Sequence, residues 1–244
     1  MGSSSANAGA RAQYEAVVRR YSAFASLSAA DIELLHALPL AETWPAGAEL
    51  HAEAAPPQPR VLLSGWAARF RMLRDGRRQI ISFILPGDGI GVCERPSPLT
   101  LTATTTLTAV RTADASAVVA ALHAGTHPAL RDAVRSAIAL DERCLIDHVV
   151  RNGRQTAQER ICHLLMELRW RLLLSGAIEG YAMPWPLTQE MIADALGLSI
   201  VHVNRMLQHM RRDGQIEARH GVLTLLQPGL IAELAEFRAP PLTS

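Results

Sequence analysis

The sequence predicts an α+β fold in three parts. These are an N-terminal antiparallel β-roll of the double-stranded β-helix type, a long helix, and a C-terminal winged helix-turn-helix. Three observations carry this. Short apolar stretches separated by glycine-marked turns run from Leu40 to about Thr112. An apolar stripe at three- and four-residue spacing follows Pro128. The segment Leu187–Leu207, LTQEMIADALGLSIVHVNRML, has the spacing of two short helices about a tight turn. The expected division is a loose tail over 1–20, the roll over 21–125, the long helix over 126–152 and the winged domain over 153–244.

Composition sets the frame. The 244 residues are 49% hydrophobic and 19% charged, enough to bury a sizeable core. The net charge is +1, so any nucleic-acid binding must come from a local patch. All 24 basic residues are arginine, as in a GC-rich coding sequence. Cys93, Cys144 and Cys162 are widely spaced, which excludes a disulfide framework and a zinc-finger pattern and suits a reducing compartment. No apolar run approaches the ~18–20 residues that span a bilayer. The start, MGSSSANAGA, lacks a basic region followed by an apolar core. A cytoplasmic chain with no membrane partner is expected.

Along the chain, Arg11 to Leu38 is helical in pattern, and Ser28 followed by Asp31 makes a capped start. In the roll, Asp75-Gly76 between two apolar stretches signals a hairpin. Thr102, Thr104, Thr106 and Thr108 repeat at the period of one strand face. From Ala113 to about Arg151 the pattern is helical again. Leu130, Val134, Ala137, Asp141, Cys144 or Leu145, and His148, with Ile138 beside them, make one stripe. Such a stripe packs on its own chain or on a second copy. Its position between an all-β block and the helix-turn-helix favours a dimer interface. Thr156 to Leu174 is a further helix opened by a Thr-x-x-Glu capping box. SGAIEGYAMPWP is read as a loop, GQIEARHGVLTLLQP as two short strands around His220-Gly221, and GLIAELAEF as a closing helix.

The helix-turn-helix reading rests on mechanics. Thr188 and Ser199 cap its two helices, Ala193 is small where they cross, and Gly197 supplies the left-handed turn. Ile192, Leu196, Leu198, Val203 and Met206 form the wedge between them. A second helix laid in the major groove presents Ile200, Val201, His202, Asn204 and Arg205. Arg205 is the leading base reader, because its fork matches guanine O6 and N7; Asn204 or His202 adds a base contact and Val201 meets a thymine methyl. Thr188, Gln189 and Ser199 are expected on phosphates, with Arg211, Arg212 and Arg219 supplying positive charge. For Arg211 and Arg212 a plain helix end meeting its dipole is an equally good account.

The order of parts, with LSGWAARFRMLRDGRRQIISFILPGDGIG and LTQEMIADALGLSIVHVNRMLQHMRRDGQI, resembles the Crp-Fnr family of bacterial transcription regulators over roughly Ala41 to Phe237. The resemblance implies a homodimer on a near-palindromic duplex site, an activator's role, and RNA polymerase as partner. It also places an effector pocket near Gly87, Asp88, Gly91, Val92, Cys93, Arg95 and Thr100. Here the chain departs from its relatives. In the cyclic-AMP-binding branch a Gly-Glu pair and a downstream Arg-Ser or Arg-Thr pair hold the ligand. Val92 stands at the glutamate and Leu99 precedes Thr100, while Glu94 and Arg95 are out of register and Pro96 and Pro98 remove N–H donors. Cyclic AMP is therefore disfavoured. The four-cysteine iron–sulfur cluster of the oxygen-sensing branch is disfavoured more strongly, since there are three cysteines and none in the tail. Haem stays open through His36, His51, His123, His127 or His148. Cys93 and Cys144 read better as small buried side chains than as redox switches. Both branches carry a glutamate where Val201 stands, so a different half-site is expected.

Two rival readings are weaker. A ligand-gated roll acting as a regulatory or scaffold module through protein contacts leaves Leu187 to Gln227 without a role. A metal-dependent oxygenase needs clustered ligands inside the strands, where the roll offers His51 alone.

Overall fold

The computed structural model of the chain describes residues 11–56, 58–94 and 102–240. The expected roll is present as two four-stranded antiparallel sheets. Its strands are β1 (Leu40–Trp44), β2 (Glu49–His51), β3 (Arg60–Ser64), β4 (Ala67–Met72), β5 (Arg78–Ile84), β6 (Gly89–Ile90), β7 (Ala103–Thr106) and β8 (Val110–Asp114). One sheet has the order β1-β8-β3-β6 and the other β2-β7-β4-β5. Leu50, Leu62, Ala67, Ile84, Ile90 and Val110 fill the space between them. The β4–β5 hairpin turns at Asp75-Gly76, where Gly76 has φ +84° and the Asp75 carboxylate accepts from Arg77 N at 3.1 Å. Thr104 and Thr106 of the threonine repeat are buried; Thr106 Oγ1 donates to Pro45 O at 2.6 Å and accepts from Ala48 N at 2.9 Å. The Thr106 hydroxyl is thus buried with partners on both sides, and Thr108, half-buried at the end of the repeat, accepts from Trp66 N at 3.0 Å.

Two helices precede the roll. Helix α1 (Glu15–Ser22) buries Val17, Arg20 and Tyr21, and α2 (Ala29–His36) starts at the expected Ser28–Asp31 box. The loose tail expected to reach residue 20 is thus corrected. From Tyr14 onward an apolar face at helical spacing packs under the roll, and residues 1–10 lie outside the described residues. After β8 come α3 (Ser116–Ala124) and α4 (Pro128–Arg154). At 27 residues α4 runs for about 40 Å.

The winged domain follows. Helix α5 (Ala157–Leu174) opens at the Thr156–Glu159 box, and after it come α6 (Gln189–Leu196), α7 (Ile200–Arg212) and α8 (Pro228–Leu234). The wing has three strands, where two were expected. Strands β10 (Ile216–Arg219) and β11 (Val222–Leu225) form the hairpin, and β9 (Ala182–Pro184) adds to β11 with Met183 opposite Leu223. This short strand was hidden in a proline-rich segment because only Met183 turns inward. One apolar cluster joins the roll to the winged domain: Trp66, Ala68, Ile80, Phe83 and Leu85 share a core with Ile161, Leu165, Leu168 and the reader's Ile192, Leu196 and Val203.

Candidate nucleic-acid interface

The helix pair is built as its sequence requires. Thr188 Oγ1 accepts from Met191 N at 3.2 Å and Ser199 Oγ from His202 N at 3.2 Å, so each helix has its N-terminal cap. Gly197, at φ +61°, ends α6 in the left-handed conformation. Ile192, Leu196 and Val203 are fully buried between the helices, with Leu198 and Met206 partly buried at the edge.

This packing turns the first half of α7 outward. Val201 is 79% exposed and Arg205 is exposed, while His202 and Asn204 stand at half exposure on the flanks. The Gln189 amide donates to Asn204 Oδ1 at 3.3 Å, so these two side chains stand side by side. Thr188 and Ser199 sit exposed at the two helix starts, where their N–H groups suit phosphate oxygens. Arg211 and Arg212 are exposed at the end of α7, and Arg219 in the wing pairs with Glu217 at 3.0 Å. The face is apolar at Val201, forked and cationic at Arg205, and basic at its rim.

The α4 stripe needs correction. Leu130 and Val134 are buried by their own chain against α1, α3 and the roll, and Ala137 packs on the same cluster. Asp141 lies 4.0 Å from Arg20. His148 is held by Arg151 and Asn152. The face left open is Ile138, Leu145, Ile146, Val149 and Val150, from 40% to 71% exposed. At about 100° per residue these open positions lie on a face beside the stripe, so α4 carries two adjacent apolar faces, one covered by its own chain and one open.

The expected effector pocket lies only partly within the described residues. The Asp88 carboxylate accepts from Leu85 N at 2.8 Å and is paired with Arg20 at 3.1 Å and with Arg171 of α5. A Cβ on Gly87 would stand 2.6 Å from Ala16 O, so this turn is packed against α1. Val92 is buried, Gly91 and Cys93 are half-exposed, and Arg95 and Thr100 lie outside the described residues. The space beside Val92, Gly89 and Val134 is about 30 Å³, room for one water. Among the described residues no group of three or more His, Cys, Asp or Glu side chains is arranged to hold a metal ion. Burial pushes the Cys144 thiol up to about 12, away from the reactive thiolate.

Sequence reasoning missed the polar junction between roll and reader. Arg151 donates to Glu167 at 2.8 Å, Glu167 lies 3.5 Å from Arg171, and Arg171 reaches Asp88, all of them buried. Nearby guanidinium groups hold both carboxyls below the usual range despite burial. The signal was Glu167 and Arg171 four apart within the apolar run of α5.

A β-roll that carries an outward-facing helix-turn-helix and a wing defines a DNA-binding transcription regulator and not an enzyme. Residues 159–234 match the Crp-like helix-turn-helix domain. The chain is 31% identical over 175 residues to the nitrogen fixation regulation protein FixK of Bradyrhizobium diazoefficiens, covering 71% of this chain and 72% of that protein. It is also 31% identical over 170 residues to the transcriptional activator protein FnrL of Cereibacter sphaeroides, covering 67% of each. The solved structure of FixK2 from Bradyrhizobium japonicum superposes with a TM-score of 0.70 at 24% identity, over 83% of this chain and all of that one. The chain belongs to the Crp-Fnr family of transcription regulators.

Proposed function

We propose that two copies pair along α4 and read a near-palindromic duplex site, from which the dimer activates transcription together with RNA polymerase. The observation that carries this is the open apolar row Ile138, Leu145, Ile146, Val149 and Val150 on a helix whose following domain presents Arg205 and Val201 to solvent. A second copy on that row is self-complementary and sets two readers about 34 Å apart, one duplex turn. Arg205 reads a guanine, flanked by Asn204, His202 and Val201. Thr188, Gln189, Ser199, Arg211, Arg212 and Arg219 fix the register on phosphates. The activator's role rests on relatives named as activators. The packed Asp88 turn supports a roll that needs no cyclic nucleotide, and the protein acts in the cytoplasm.

Selecting duplexes from a random pool with the purified protein tests this, alongside sedimentation. A two-fold-symmetric motif bound by a dimer is expected. Arg205→Ala should weaken the selected site by about 1–3 kcal/mol and relax one position of each half-site. A monomer with no preference over random competitor would end the proposal.

A further inference from the structure

Helix α6 ends at Gly197, which leaves the carbonyls of its last turn to find donors outside the helix. Three separate elements supply them. The Gln79 amide of β5 donates to Asp194 O at 2.8 Å and lies 3.3 Å from Ala195 O. Asn152 of α4 donates to Ala195 O at 3.3 Å, and Arg160 of α5 to Leu196 O at 3.0 Å. Beside Gln79, Arg78 binds the Asp194 carboxylate through Nε at 2.8 Å and Nη2 at 2.7 Å, with both side chains about three-quarters covered. Gln79 also lies 3.4 Å from His148 on α4, so one amide touches the roll, the long helix and the reader.

From this we infer that Gln79, supported by Arg78, is a positioning residue for DNA reading, the point at which the roll sets the angle of the recognition helix. Apolar packing between roll and reader is non-directional and lets α6 roll about its axis. Hydrogen bonds to the carbonyls of one helix end do not, because donors must lie near the lone-pair directions. Helix α7 moves with α6, since they share a core and the Gln189–Asn204 bond. A tilt of β5 therefore swings Arg205 and Val201 together. The inference deepens the proposed function and rests on it for the DNA measurement alone.

Three variants separate positioning from plain stability. Gln79→Met keeps the bulk without a donor, Gln79→Glu points a carboxylate at carbonyls, and Gln79→Lys keeps a donor. For the selected duplex, Met and Glu should lose about tenfold or more in affinity, because binding must first restore the reader's angle. The slope of log affinity against log salt should not change, because the bound state keeps its phosphate contacts. Lys should bind within about threefold of the parent. Hydrogen exchange of the DNA-free protein over residues 189–196 should be faster in Met and Glu and parental in Lys, with unfolding midpoints alike. Equal affinity and equal exchange in all three variants would overturn the inference, as would a loss shared by Lys. If the parent binds no DNA, the reading of α7 fails, and the exchange measurement still decides whether Gln79 fixes α6.

Discussion

Arg151 and Glu167 meet at 2.8 Å from successive helices, both side chains less than one-tenth exposed. They are one link of a buried chain of alternating charge that continues through Arg171 and Asp88 to Arg20. The chain ties α1, the roll, α4 and α5 into one body. A buried pair of this kind adds little over a well-packed apolar substitute, yet breaking it from one side strands a charge in a poor solvent.

Truncating one partner should therefore cost more than removing both. Glu167→Ala is expected to destabilise by about 3–5 kcal/mol, since Arg151 and Arg171 then face each other without it. The double variant Arg151→Met with Glu167→Met should cost clearly less than the sum of its single changes. Denaturant unfolding of the parent, Glu167→Ala, the two single Met variants and their double measures both quantities. An additive double variant would show that the two side chains do not interact.

Acid should weaken the protein before its carboxylates titrate. Burial and the Arg151 guanidinium push His148 down to about 4 from an ordinary 6.5. His163 is lowered for the same two reasons. Between those values the unfolded chain binds more protons than the folded one, so stability rises with pH across the window and is lost as pH falls through it. Asp88 and Glu167, with depressed folded values, add a further loss in the same direction below the ordinary carboxylate range. Unfolding curves at pH 7 and pH 5 should differ for the parent and differ less for His148→Gln. An unchanged difference would place the acid sensitivity elsewhere.

Two glycines of similar backbone angle should respond differently to alanine. Gly76 has φ +84° and nothing within 4 Å of an added Cβ, so Gly76→Ala should cost roughly 1 kcal/mol of backbone strain. Gly87 has φ +92°, and its Cβ would stand 2.6 Å from Ala16 O and 3.1 Å from Ser175 Cβ. Both neighbours belong to segments that close on the roll. Gly87→Ala should lower the melting midpoint by several times as much, and circular dichroism on heating is sufficient to compare them.

Much of this architecture was legible because it is local. The Ser28, Thr156, Thr188 and Ser199 caps, the Asp75-Gly76 hairpin and the Gly197 turn each follow from a few neighbouring residues. What escaped is long-range. Nothing near Gln79 says that its amide will end a helix 115 residues later. Nothing near Asp88 says that two arginines from distant parts of the chain will close over it. The α4 stripe misleads for a physical reason: one helix carries two apolar faces, and periodicity alone does not say which is covered by its own chain.

That open face gives a sharp test. Val149 is 71% exposed and Ile146 57%. Val149→Glu with Ile146→Glu places like charges in a two-fold contact while leaving the chain's own core intact. Sedimentation should report a folded monomer with parental helical content, and affinity for a two-half-site duplex should fall to that of one half-site. A dimer that survives the double change would move the interface off this row.

The reader's departure from its relatives leads to the last prediction. Val201 is largely exposed near the start of α7, and in the proposed docking its methyl groups take the place from which a glutamate would accept from cytosine N4. Val201→Glu should therefore shift the selected base at one position of each half-site toward cytosine, with little change in salt dependence. Arg212→Ala should do the opposite. It should weaken binding to all sequences alike and reduce the salt slope by about one for each phosphate that the arginine no longer neutralises. The two variants stand eleven residues apart on one helix and probe different halves of the same interface. A base preference untouched by Val201→Glu would mean that α7 enters the groove by another face, and Arg205 would lose its assignment with it.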